Sequence, residues 1–314
     1  MRKSSRVGWR AWIAIVGFLY GIGLAVPVHA APSLPVVATF SILGEVVRIV
    51  GGDAVALKTL VGPDGDAHTF EPSPRDGIAL TEAQLLFEMG LDFETWLDDL
   101  YQASKSQAQR IVVSDGLELL RAEPSAAADA HHHHGEYDPH VWHDVQNLIQ
   151  ITHRVRDALT QAAPAHAELY RGNARRHIQA LRDLDQWMVA RIDALPPARR
   201  KLVTSHDTFG YFAKRYGFTI IGTALPAFST EHADPSAGEL AALVNRIKAE
   251  NVSAIFAETT HSSRTIEQLA RETQAKLPPP LYTDALGPTG SPGETYLQMM
   301  RHNVDIIVNA LQPQ

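Results

Sequence analysis

The stretch Leu34-Pro35-Val36-Val37-Ala38-Thr39-Phe40 begins a pattern that recurs along the chain. It is a short run of apolar and β-branched residues, which is typical of a buried strand. Residues 42–50 follow with helical spacing and stop at Gly51-Gly52, and residues 55–61 form a second apolar run. A strand, a helix and another strand in this order predict a parallel strand pair with a helix packed on the sheet.

The same alternation continues through both halves of the chain. It predicts further strands at residues 84–89 and 110–114, and a second set at 201–204, 218–222, 252–258 and 281–283. Helical patterns separate these strands, and one more closes the chain at residues 296–311. The predicted fold class is therefore α/β, with two lobes that are each a mostly parallel sheet flanked by helices.

One helical pattern is longer than the others. It begins at Pro164, ends before Pro196-Pro197, and would extend about 45 Å. About 280 residues suffice for two ordinary domains, so we expect this helix, residues 164–195, to be a rigid connection between the lobes. The expected N-terminal lobe is then 31–163, with a histidine-rich loop at 122–137, and the C-terminal lobe is 196–314.

The first thirty residues have the pattern of a signal peptide. Four basic residues precede an apolar run, and Val28-His29-Ala30 resembles a cleavage site. The sequence has no cysteine, so we expect neither disulfides nor a lipid-modified cysteine, and predict a protein of the periplasm without a lipid anchor. Removing four positive charges from the net charge of −7 leaves −11, which argues against nucleic acid as a partner. A monomer is expected.

Histidine is concentrated in one segment. Six of the fifteen histidines lie within residues 131–144. Imidazole is a common ligand of transition metals, so the segment indicates metal handling. Asp138 is predicted to be a helix N-cap with Pro139 as the first helical residue, which would mount His140 rigidly at the helix mouth. Residues 131–134 are predicted to be a mobile cluster.

Other polar residues follow predicted strands, where ligands bind in open α/β sheets: His68, His206 and Asp284. No local spacing rule joins them to His140. Their surroundings, however, resemble those of the periplasmic solute-binding proteins of zinc and manganese ABC importers, over essentially the whole mature chain. The resemblance is carried by Asp66-Ala67-His68-Thr69-Phe70-Glu71-Pro72-Ser73-Pro74, Asp138-Pro139-His140-Val141-Trp142, Thr204-Ser205-His206-Asp207-Thr208-Phe209-Gly210-Tyr211-Phe212 and Tyr282-Thr283-Asp284-Ala285-Leu286-Gly287.

The resemblance implies one metal ligand from each motif, two per lobe, in the cleft between the lobes: His68, His140, His206 and Asp284. Three imidazoles and one carboxylate suit four-coordinate zinc. Manganese-binding members of the resembled family have a carboxylate in place of His206, which favours zinc here, whereas Asp284 keeps manganese or iron open as an alternative. The implied partners are the permease and ATPase subunits of a metal ABC importer.

The remaining candidates receive less specific roles. Glu71, Asp207 and Glu258 could orient ligand imidazoles or serve as caps and surface residues. His143 is expected to be exposed, and the histidines of the long helices, His153, His166 and His177, are expected on solvated faces. His232, His261 and His302 receive no role. An enzyme is not expected, because four protein ligands close a zinc site and no hydrolase motif is present; a metal-buffering or adhesion protein without a transporter remains the alternative.

Overall fold

We describe a computed structural model of the chain, covering residues 33–121, 136–225 and 235–313. The predicted signal peptide at residues 1–30 and the histidine cluster at residues 131–134 lie outside the described residues. Both therefore stay predictions.

The N-terminal lobe contains a four-stranded parallel sheet. Its strands are β1 (Leu34–Phe40), β2 (Val55–Val61), β3 (Leu85–Glu88) and β4 (Gln109–Val112), in the order β2-β1-β3-β4. The helices between them are α1 (Ser41–Gly51), α2 (Pro74–Glu82) and α3 (Leu97–Ser104). β1 and β3 are buried almost throughout, because helices cover both faces of a parallel sheet. The predicted strands of this lobe are confirmed.

Two long antiparallel helices follow, α4 (Val145–Ala162) and α5 (Ala167–Ile192). α5 has 26 residues and is about 39 Å long. Its buried side chains recur at helical spacing from Tyr170 to Ile192, and they pack against α1 of the first lobe and α9 (Tyr296–Leu311) at the end of the chain. The predicted long connecting helix is confirmed, while the lobe boundaries at 163 and 195 stay predictions.

The C-terminal lobe differs in part from its prediction. Strands β5 (Lys201–Thr204) and β6 (Thr219–Thr223) are parallel, and helices α6 (Gly210–Tyr216), α7 (Ala237–Ala249) and α8 (Arg264–Thr273) surround them. The predicted strands 252–258 and 281–283 form only isolated parallel bridges, Ala254 with Lys276 and Glu258 with Leu281. Residues 252–258 still lie beside β5, since the Phe256 amide donates to the Val203 carbonyl at 2.9 Å.

Side chains from α9 and from the other lobe explain why this ladder is short. The Asn303 side chain accepts from the Tyr282 amide at 3.0 Å and donates to the Tyr282 carbonyl at 2.6 Å. Trp142 Nε1 donates to the Thr283 carbonyl at 2.9 Å. Because side chains already satisfy these backbone groups, no neighbouring strand within the described residues pairs with them. Among the helices in the described residues, none is both long and apolar enough to cross a membrane.

Candidate metal centre

Four predicted ligands meet at one point, although 216 positions separate the first from the last. His68 lies in the turn after β2, His206 two residues after the end of β5, and Asp284 after the extended segment 281–283. His140 precedes a short 3-10 turn, Val141–His143. All four side chains are at most 2% exposed. Distant parts of the sequence therefore supply one buried polar cluster.

The ring nitrogens and the carboxylate point toward a common centre, with all four ligand atoms within 4.8 Å of one another. A tetrahedral zinc site with bonds of about 2.0 Å has ligand atoms about 3.3 Å apart. Asp284 Oδ2 is buried, and its polar neighbour is His206 Nε2, another of the four converging atoms. These facts fit a single divalent ion at the centre. The separations are 3.2 Å for His68 Nε2 to His140 Nε2, 3.4 Å for His140 Nε2 to His206 Nε2, 3.6 Å for His140 Nε2 to Asp284 Oδ1, and 3.1 Å for His206 Nε2 to Asp284 Oδ2.

Glu258 orients His206. One carboxylate oxygen, Oε2, lies 2.5 Å from His206 Nδ1 and accepts from the Thr283 hydroxyl at 3.2 Å. The other, Oε1, accepts from the backbone amides of Ser205 and His206 at 2.8 and 3.1 Å. A proton held on Nδ1 leaves the lone pair on Nε2, the atom that faces the centre. Glu258, considered as an orienting acceptor from the sequence, has that position; the side chain of Glu71 is exposed.

Asp138 orients His140, and this corrects the prediction that Asp138 is a helix N-cap. Its Oδ1 accepts from the His140 amide at 2.9 Å and lies 2.8 Å from His140 Nδ1. The helix starts later, where Asp144 caps α4 by accepting from the Gln146 amide at 2.8 Å. The helix cap is Asp144 and not Asp138, because the Asp138 carboxylate faces the His140 imidazole. A two-residue spacing between an acid and a histidine was the available signal in the sequence.

His68 is fixed mainly by its turn and by aromatic packing. The Asp66 carboxylate accepts from the His68 amide at 2.8 Å, and Trp96 Nε1 donates to the Ala67 carbonyl at 2.7 Å. Phe93 meets the His68 ring edge-on, with ring centroids 4.6 Å apart. His68 is therefore held by hydrogen bonds in its turn and by contact with Phe93.

Burial and two carboxylates set the protonation of the centre. Burial lowers the pKa of His68 to about 4 and that of His140 well below its ordinary value. Burial also lowers the pKa of His206, but the carboxylates of Glu258 and Asp284 outweigh it and hold this pKa well above its ordinary value. Burial raises the pKa of Asp284, but His206 outweighs it and the pKa lies well below its ordinary value. At neutral pH, His206 is therefore the imidazole that has to lose a proton when a metal binds.

Three histidines lie elsewhere than expected. His143, predicted to be exposed, is fully buried with its ring against Phe209, because the 3-10 turn directs it into the core. His177, predicted on a solvated face, is 5% exposed on the buried side of α5. His261, which received no role, stacks on His206 with ring centroids 4.6 Å apart. No periodicity connects residue 261 to residue 206, so the sequence contained no signal for this contact.

Comparison with known proteins identifies the family. Residues 36–310 match the family described as zinc-uptake complex component A, periplasmic. The manganese-binding lipoprotein MntA of Halalkalibacterium halodurans is 31% identical over 278 residues, covering 88% of both chains. The iron-binding protein YfeA of Yersinia pestis is 28% identical over 282 residues, covering 90% of this chain and 87% of that protein. The periplasmic zinc-binding protein TroA from Treponema pallidum has a similar structure, with a TM-score of 0.80 at 29% identity, covering 90% of this chain and 100% of that one.

The chain belongs to this family of metal-binding solute-binding proteins. The resemblance inferred from the four motifs is confirmed. Members of the family bind a metal for an ABC transporter and are not enzymes, which also confirms the expectation that this chain is not an enzyme.

Proposed function

We propose that this protein captures zinc in the cleft between its lobes and delivers it to the permease and ATPase of an ABC importer. The observation that carries the proposal is the buried convergence of His68, His140, His206 and Asp284 at separations that suit one ion. The ion is cargo, so it has to leave again.

The donor set supports zinc over manganese. Three imidazole nitrogens and one carboxylate form a borderline-soft set, whereas manganese favours more oxygen ligands. Manganese and iron are the alternative cargoes, because relatives of similar identity are named for manganese, iron and zinc.

The proposed location is the periplasm, as a monomer without a lipid anchor. Several relatives are named lipoproteins. This sequence has no cysteine that could carry a lipid, which supports release of the mature protein near Ala31. Recovery of the protein in a membrane-free periplasmic extract, followed by size-exclusion chromatography, tests both statements. Recovery with the membrane fraction would contradict the absence of a lipid anchor. Elution as a dimer would contradict the monomer.

Metal content and calorimetry test the site. The purified mature protein should bind one zinc ion tightly, and His68→Ala and His140→Ala should each lose tight binding because a three-ligand set remains. His153→Ala, a partly exposed histidine on α4, is the matched control and should bind like the unmodified protein. Unchanged affinity in either ligand variant would refute the assigned site.

A change at His206 tests the cargo. His206→Glu replaces one nitrogen donor by a carboxylate and should narrow the ratio of zinc to manganese affinity, mainly by weakening zinc binding. Competition titrations with both metals measure this ratio. Raw zinc affinity exceeds manganese affinity at most sites, so the comparison between variants is the informative one. An unchanged ratio would exclude His206 as a ligand.

A further inference from the structure

The buried position of the four ligands raises the question of how an ion reaches them. Each of the four side chains is at most 2% exposed, so a hydrated ion in solvent does not meet them first. A ligand at the rim would allow the ion to exchange its waters one at a time instead of losing them together. Such a residue has to contact the cluster and still be accessible to solvent.

His261 has both properties. The residue is partly exposed although its Nε2 atom is shielded, and its ring stacks on His206 with centroids 4.6 Å apart and an interplanar angle of 14°. Ligand atoms of His206, Glu258 and His261 lie within 4.8 Å of one another, a second potential metal-binding group that shares His206 with the first.

The hydrogen bonds of His261 leave one ring nitrogen available. Nδ1 lies 2.7 Å from the Thr260 hydroxyl. Nε2 is shielded from solvent and has no hydrogen-bond partner among the described residues. A buried polar atom without a partner is costly, so its presence beside a metal-ligating cluster indicates a use. When Nδ1 donates its proton to Thr260, the lone pair is on Nε2.

Charge favours a cation at this position. Glu258 and Asp284 are two buried carboxylates, and they attract a divalent ion toward His206. While the two rings are stacked, they cannot bind one ion together. The lone pair of a ring nitrogen lies in the plane of its ring, and the two planes are parallel. His261 therefore has to turn during the transfer, and partial exposure leaves it room to do so.

We propose that His261, with Glu258 and His206, forms a transit site that receives a divalent transition metal and passes it to the buried centre. This proposal rests on the proposed function, since the centre is the destination. The ion first binds a His261 nitrogen that the turned ring presents to solvent, is attracted inward by the buried Glu258 carboxylate, and then exchanges His261 for His206 Nε2 and the other three ligands. His206 belongs both to the transit site and to the buried centre, whereas His261 belongs only to the transit site. His261 is therefore a temporary ligand.

Kinetics of zinc uptake test the transit site. His261→Phe retains a planar ring against His206 and removes both nitrogens. A ligand used only in transit lowers the barrier in both directions, so this variant should bind and release zinc about tenfold more slowly with an unchanged Kd. Stopped-flow tryptophan fluorescence follows uptake, since Trp142 lies against His140 with ring centroids 5.3 Å apart, and a chromogenic chelator follows release. His153→Phe is the matched control and should leave both rates unchanged.

The other outcomes overturn the proposal in distinct ways. Unchanged rates in His261→Phe would show that its nitrogens do not take part. Faster release with a weaker Kd would make His261 a permanent ligand. Slow rates in His261→Ala together with normal rates in His261→Phe would show a packing role. An unmodified protein that takes up no transition metal would instead refute the proposed function itself.

Discussion

Replacing Glu258 by Gln should weaken zinc binding although Glu258 is not among the four proposed ligands. Glu258 Oε1 accepts from two backbone amides, and Oε2 faces His206 Nδ1 at 2.5 Å. Glutamine has one oxygen and one NH₂ in the same shape. The amides of Ser205 and His206 cannot reverse their polarity, so the glutamine oxygen should face them and its NH₂ should face His206. Nδ1 then has to accept, which moves the proton to Nε2, the nitrogen that would bind the metal.

The expected loss follows from this reversal. Removing a hydrogen-bond partner of a ligand costs about 10- to 100-fold in metal affinity. Because the variant both removes the acceptor and favours the wrong tautomer, we expect the upper end, about 100-fold or about 2.7 kcal/mol. The Thr283 hydroxyl can rotate to accept from the new NH₂, so it should add little to the loss.

Competition with a zinc chelator measures the affinity, and thermal unfolding of the metal-free protein measures stability. Glu88→Gln is the matched control, since Glu88 is buried and pairs with Arg110 on the N-terminal sheet. It should lower stability and leave zinc affinity unchanged. If Glu258→Gln binds zinc within about twofold of the unmodified protein, the tautomer of His206 does not control binding.

Three further predictions concern pH, the histidine cluster and a glycine. Zinc affinity should fall about tenfold per pH unit below the raised pKa of His206, because this imidazole has to lose a proton before it can bind zinc. At His68, protons compete with zinc only near pH 4. Titrations that give equal zinc affinity from pH 8 to 5 would contradict this prediction. Deleting residues 131–134 should remove only weak metal equivalents in calorimetry, because ordering a non-periodic segment costs about 1 to 2 kcal/mol per residue; loss of the tight site would show that the cluster belongs to it. Gly210→Ala should weaken zinc binding about tenfold, because its Cβ would lie 2.6 Å from Asp138 Oδ2 and displace the carboxylate that orients His140. Gly238→Ala on α7 is the control, because its Cβ would meet Ser236 Oγ at an ordinary contact distance of 3.9 Å; equal affinities in the two glycine variants would refute this reasoning.

Local patterns were enough to predict most elements. β1, β2 and α9 lie where apolar runs and helical spacing indicated, because burial on a sheet or on one helix face imposes a period on the sequence. The long helix α5 was predictable for the same reason. Residues 252–258 and 281–283 have the composition of strands. Backbone groups of Tyr282 and Thr283, however, bond to the side chains of Asn303 and Trp142, which lie far away in the sequence.

The four proposed ligands are predicted from motifs, that is, from resemblance, and not from any spacing between them. The sequence indicates only in part which groups orient these four residues: it offers Glu258 as one of three candidates, and it favours a helix cap for Asp138. The burial of His143 and the contact of His261 with His206 had no signal in the sequence. Periodicity reports which face of an element is buried, whereas a metal centre depends on which element ends meet after folding. That meeting is fixed by long-range packing of the two lobes around α5, and no local pattern encodes it.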